Sequence, residues 1–195
     1  MKETTVTTMH NTVSNSFFYF LYMAQFNHES DLNTLLTGLG LIRDLTGGQL
    51  EGASLGSSLI TFRPGVLQQG YYAADTKTAG AVCLLAQISL PVALFSPGPV
   101  SLQLQGGTNC DMAPQIDEFT EILLPNLKKF GVNFEFEVVR KGFFPKGGGE
   151  VNFFINPVKM LHPIMMTDPG RIERIYGWSF CAGNLPLRQG GRWNF

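Results

Sequence analysis

Y-Y-A-A-D-T-K-T-A-G-A-V-C-L-L-A-Q-I-S-L-P, residues Tyr71 to Pro91, joins a short β-type run to the most uniformly apolar helix pattern in the chain. Asp75 and Thr76 are good N-cap residues, and Thr78-Ala79-Gly80-Ala81 is small enough for another backbone or a ligand to come close. Val82, Cys83, Leu84, Leu85, Ala86, Ile88 and Leu90 leave hardly any polar face, which predicts a helix buried on most sides. Gln87 is the polar exception. A helix start free of bulky side chains points unpaired N–H groups and its dipole outward, and Lys77 adds a charge there. That combination suits a nucleotide phosphate; a capped core helix with a surface lysine has the same pattern.

On the C-terminal side, Pro91 to Pro99 is a breaker-rich exit, and Val100–Gln105 alternates apolar and polar as a half-buried strand does. The loop from Gly106 to Pro114 feeds a helix, with Pro114 suited to its first turn. Ile116, Phe119, Ile122, Leu123, Leu124 and Leu127 supply the buried stripe of that helix, and Lys128-Lys129 before Gly131 mark its end. Val132–Val139 and Glu150–Ile155 read as a hairpin around Gly147-Gly148-Gly149. Its end carries Arg140, Lys141 and Lys146 with Phe143 and Phe144, a set able to hold a phosphate backbone and stack a base, or to be a solvated tip. A last strand is expected over Ile172–Ala182, before a Gly- and Arg-rich end.

On the N-terminal side, Leu35–Leu45 has helical spacing and a Gly47-Gly48 stop. Short strands follow at Leu50–Ala53 and Ser58–Phe62, closed by Arg63-Pro64-Gly65. From Tyr71 to Val158 the order is strand, helix, strand, helix, strand, strand. The piece from Leu35 to Phe62 resembles the last helix and two strands of an earlier copy. One and a half βαβαββ units in an α+β sandwich, with helices on one face of the sheets, is therefore the expected fold. The segments are a partial first repeat over 35–70, a second repeat over 71–158 and a last strand within 170–183.

At 195 residues the chain is long enough to bury roughly 70% of its unfolded surface. Its 14 basic and 15 acidic residues give a net charge of -1, so any nucleic-acid or nucleotide site has to be local. The three cysteines form no C-x-x-C pair, which argues against a disulfide framework or zinc ribbon and for a reducing cytosol or nucleus. Residues 1–34 read as a leader, expected to be poorly ordered; its aromatic run Phe17–Met23 is about half of what a membrane span needs, so the chain is expected neither to cross a membrane nor to be secreted.

Several runs, in order and in one register, resemble the RNA 3′-terminal phosphate cyclases. They are Ile42–Leu45, Gly48–Ala53, Ala74–Gly80, Cys83–Leu85, Gly106–Asn109, Met112–Asp117 and Phe144–Val151. The likeness covers about Leu35 to Gly183; residues 184–195 read as a divergent tail. It implies βαβαββ units like the C-terminal domain of a translation initiation factor. It also implies a ligase using ATP and Mg2+, in which an RNA 3′-phosphate is adenylylated and the neighbouring 2′-hydroxyl displaces AMP. Gln87 and Pro114 match the family's ATP contacts, with Asp75, Lys77 and Gly107 as weaker candidates; Arg140, Lys141 and Lys146 are candidates for RNA. A buried amide left unpaired costs roughly 1–3 kcal/mol, so Gln87 is expected to have a partner.

No catalytic residue is expected here, because His10, His28 and His162 match no motif of the family's nucleophilic histidine, and the family's glycine-rich opening and its metal ligand have no counterpart. The chain alone is accordingly expected not to cyclise RNA. A non-catalytic ribosomal-RNA-processing paralogue and a truncated RNA-binding or regulatory module are the alternatives, with Asp75–Gly80 and Gln87 favouring the cyclase branch.

Overall fold

The computed structural model describes residues 5–7, 29–57, 59–111, 113–168, 170–179, 181 and 191–194. Most of the expected leader and most of the expected tail lie outside the described residues. Within the described part, residues 164–195 form a separate unit.

The larger unit opens with β1 (Thr5–Thr7), followed by α1 (Glu29–Thr46), β2 (Gln49–Glu51) and β3 (Leu59–Arg63). α1 begins six residues before the expected Leu35. The periodic signal missed its first turns because they carry the exposed Leu32 and the buried but polar Thr34 in place of an apolar stripe. Its end falls where the glycines put it: the Gly48 N–H donates to Arg43 O at 2.9 Å and the Gly47 N–H to Asp44 O at 3.3 Å, the paired bonds that close a helix terminus. Leu39, Ile42 and Leu45 are buried at helical spacing and pack toward α2. β3 lies between β2, which it pairs antiparallel, and β1, which it pairs parallel.

The second segment is β4 (Gly70–Asp75), α2 (Val82–Ala93), β5 (Val100–Gly106), a helical run over 116–129, β6 (Phe134–Arg140) and β7 (Gly149–Ile155). This is the βαβαββ order. The sheet order is β4-β5-β7-β6, with β4 and β5 parallel and the other pairs antiparallel. Alternation explains the layer. Val100, Leu102 and Leu104 of β5, with Val151, Phe153 and Ile155 of β7, are buried on the side that α2 covers. Ser101, Gln103, Gln105, Glu150 and Asn152 alternate onto the other face and remain half-buried. There Gln103 Nε2 donates to Glu150 Oε1 at 2.7 Å.

Four local expectations are corrected. α2 starts at Val82, not at Asp75 or Thr76, because the Thr76 N–H is taken by Gln105 O at 3.0 Å and residues 77–79 then bend, with Lys77 left-handed; Ala81 is the N-cap and its side chain makes no capping bond. The helix also runs through Pro91 to Ala93, in its last turn. Pro114 lies two residues ahead of its helix, which is capped by Gln115 and built from α3 (Ile116–Glu118), a π-helical turn (Phe119–Leu123) and α4 (Leu124–Lys129). The extra residue of the π turn breaks the expected stripe: Phe119 is buried, whereas Ile122 is 56% exposed. Gly131 ends this run as expected, with its N–H on Lys128 O and the Val132 N–H on Leu127 O.

In the smaller unit, the strand expected over Ile172–Ala182 begins only at Tyr176, as β8 (Tyr176–Ser179), with residues 180 and 182 outside the described residues; β8 pairs antiparallel with β9 (Gly191–Asn194) from the expected tail. The Arg174 guanidinium stands 5.1 Å from the Tyr176 ring centroid. Among the described residues no helix is long and apolar enough to cross a membrane.

Candidate functional site

Parallel strands β4 and β5 end together, at Asp75 and Gly106, and three loops are tied to that end. The first, over 76–81, follows β4. Thr76 is almost fully buried; its hydroxyl donates to Thr78 O at 3.0 Å, and the Gly107 N–H donates to Gly80 O at 2.8 Å. Gly80 has room for no side chain, since a Cβ there would press on Thr34 Oγ1 of α1. The small-residue run is thus a packing requirement.

The second loop, over 107–115, is fixed at both ends. Gly107 O accepts the Val82 N–H at 2.9 Å, and Thr108 O accepts the Ile116 N–H at 2.9 Å. One of the free N–H groups at the start of α2 is therefore satisfied by the chain itself, which narrows the expected anion site. The third element is the β6–β7 turn. Gly142 O accepts the Thr108 N–H at 2.8 Å, and Thr108 Oγ1 accepts the Gly142 N–H at 3.1 Å. Phe143 forms isolated bridges to Asn109 and Gly147. Gly147 lies directly against the Thr78 carbonyl.

The candidate residues distribute over this frame as follows. Asp75 accepts both the Lys77 N–H and the Lys77 ammonium, each at 2.7 Å, with Lys77 in the left-handed region at φ 59. Partial burial alone would raise the Asp75 carboxyl, but the hydrogen bonds and charge of Lys77 outweigh it and hold the group below its ordinary value. Lys77 itself is 81% exposed at its side chain. Gln87 is exposed, not buried as the apolar pattern implied; its amide has water available. Apart from the half-buried Pro91, every other residue of α2 is buried. Gln87 sits five residues beyond Val82, about 7.5 Å along the axis from the tied end. Pro114 is half-buried in the second loop, where Gln115 Nε2 donates to Cys110 O at 2.8 Å.

Of the three cations, Lys141 is bonded to Asp117 at 2.8 Å. Arg140 Nε donates to Gly148 O at 2.7 Å, and Lys146 is exposed. The structure therefore brings Asp75, Lys77, Gly107, Arg140, Lys141 and Lys146 to one end of the sheet. His162 stands elsewhere: its N–H donates to Phe130 O, at the far end of the 116–129 run, about 20 Å of helix from the Thr108 junction. Cys83 is a core side chain whose thiol is pushed up to about 12, chiefly by burial and further by Cys110 nearby, so it offers no thiolate nucleophile.

Sequence reasoning gave Thr76 a capping role and gave Thr108 and Asp117 none, whereas these groups hold the loops in place. Thr108 meets a partner 34 positions away, and no local pattern carries that information.

A family model described as RNA 3′-terminal phosphate cyclase matches residues 33–181. Curated relatives with that name agree. The protein from Drosophila melanogaster is 41% identical over 152 residues, covering 78% of this chain and 42% of the relative. That from Ignicoccus hospitalis is 39% identical over 141 residues, covering 72% and 40%. That from Pseudomonas fluorescens is 34% identical over 148 residues, covering 76% and 43%. The chain thus spans about two fifths of the length of these relatives.

Proposed function

Because the chain belongs to the RNA 3′-terminal phosphate cyclase family, we propose that it supplies the nucleotide-holding part of an ATP-dependent ligase. That ligase converts an RNA 3′-phosphate into a 2′,3′-cyclic phosphate in RNA processing, in the nucleus or cytoplasm. A phosphate monoester dianion has no leaving group, and ATP, when bound, supplies one by adenylylation. The part of this chain is to bind and orient.

The observation that carries the reading is the convergence of three loops at the ends of β4 and β5, followed by a helix whose one exposed position, five residues beyond its first, is an amide. Gln87 offers one donor and one acceptor, the pair that fits the edge of adenine at N6 and N7. Pro114 offers an apolar contact to the base. Lys77 rests on Asp75 and would exchange that carboxylate for a phosphate, while Gly106 and Gly107 are buried against Gly80, Ala79 and Cys110 and hold the loops together. Among the described residues no group of three His, Cys, Asp or Glu side chains gathers as a metal site. No step is assigned to Mg2+. The family's nucleophilic histidine has no counterpart among His10, His28 and His162, so covalent transfer is assigned to no residue of this chain.

The test is ATP affinity by calorimetry. Gln87→Ala is expected to weaken binding about tenfold, the loss of roughly one net hydrogen bond of about 1.4 kcal/mol, with thermal stability unchanged because the residue is exposed. Equal affinity of variant and parent would remove Gln87 from the site.

A further inference from the structure

The β6–β7 turn presents an aromatic ring that the fold does not use. Phe144 is 83% exposed. The turn holds its shape without that ring. The Gly147 N–H donates to Phe143 O at 2.8 Å, Arg140 Nε closes onto Gly148 O, and Gly147 presses on the Thr78 carbonyl. The same turn carries two exposed cations, Arg140 and Lys146, neither of which pairs with a carboxylate among the described residues; Lys141 is neutralised by Asp117. On a chain of net charge -1 this is a local concentration of positive charge beside a bare π face. Phe143 bridges the same turn to Asn109, so the ring is carried next to the loops assigned to the nucleotide.

We propose that this turn is the platform on which the RNA end is laid, with Phe144 stacked on an unpaired base and Lys146 and Arg140 on the flanking phosphates. The inference rests on the nucleotide reading for the position of the reacting end and adds to it a substrate class: single-stranded RNA ends. A base already stacked and paired in a duplex presents no free face to Phe144. An unpaired base does, and aromatic stacking accepts any of the four bases. The platform therefore selects strandedness and not sequence.

The experiment measures binding of a fluorescent, 3′-phosphorylated oligoribonucleotide by anisotropy, once single-stranded and once with its last nucleotides paired to a complementary strand. The single strand is expected to bind about tenfold more tightly than the paired end. Phe144→Leu, which keeps an apolar side chain without a π system, is expected to lose about tenfold for the single strand, and Phe144→Trp to retain parental affinity. Lys146→Ala is expected to make the slope of log affinity against log salt shallower by about 0.7, one phosphate contact to a single strand. Unchanged affinity in Phe144→Leu, equal binding of the paired end, or no RNA binding by the parent chain would each overturn the proposal. ATP affinity measured on the same samples separates the two readings. If RNA binding depends on Phe144 and ATP does not bind, the platform stands and the nucleotide site falls; if ATP binds and Phe144→Leu changes nothing, the reverse holds.

Discussion

Phe153→Ala lowers the free energy of unfolding by about 3–5 kcal/mol, the range for removing a buried aromatic ring. Phe153 is 1% exposed in the centre of β7, between β5 and β6. Its ring centroid lies 5.4 Å from Phe136, 5.8 Å from Phe119 and 6.2 Å from Phe134. Phe119 approaches edge-on from the π turn, so one side chain joins the helical run to the sheet. Removing it takes away the apolar transfer term, leaves a cavity that surrounding strands cannot collapse, and strips three aromatic contacts. A domain of ordinary stability, about 5–15 kcal/mol, retains little margin after such a loss. Urea titration checks the value. A loss below about 1 kcal/mol would mean that the helical run does not dock on β7 as described.

The second large effect separates two adjacent glycines. Gly147 and Gly148 have similar left-handed backbones, at φ 65 and φ 69. Alanine at Gly148 meets nothing within 4 Å, so it costs about 1–2 kcal/mol for the backbone conformation alone. Alanine at Gly147 carries the same cost and also strikes the Thr78 carbonyl and Ala79, backbone that cannot rotate away. The overlap adds about 1–3 kcal/mol and pushes the turn off the 76–81 loop. Gly147→Ala is therefore expected to be the less stable of the two and to weaken both ATP and RNA binding, while Gly148→Ala keeps both. Chemical denaturation with parallel ligand titrations reads this. Equal behaviour of the two variants would show that contact between the turn and the loop is not what assembles the site.

What the sequence made legible were the features with local causes. Alternation located β5, the Gly47 and Gly131 stops ended their helices, and the glycines at 147–149 closed the β6–β7 hairpin. The start of α2 was not legible. Asp75 and Thr76 have capping chemistry, but Asp75 spends its carboxylate on Lys77, and Thr76 is held by Gln105, 29 positions away. Ile122 was misplaced because an α-helical period does not anticipate a π turn. The parallel pairing of Thr5–Thr7 with β3 had no sequence signal, since three polar-flanked residues carry no periodicity. For the site, residue types pointed to Asp75, Lys77, Gly107 and the three cations, which do meet at one sheet end. The amide of Gln87 was read as buried because its neighbours are apolar, whereas it occupies the one exposed position of its helix.

The central claim is that adenine nucleotide binds at the joined ends of β4 and β5. Photoaffinity labelling of the intact chain with an azido-adenine nucleotide, followed by peptide mapping, tests it most directly. Competed labelling confined to peptides holding Gln87 and the 107–115 loop around Pro114 is the outcome expected. Labelling that ATP fails to compete, or that falls on β8, β9 or the exposed residues 159–163, would contradict it.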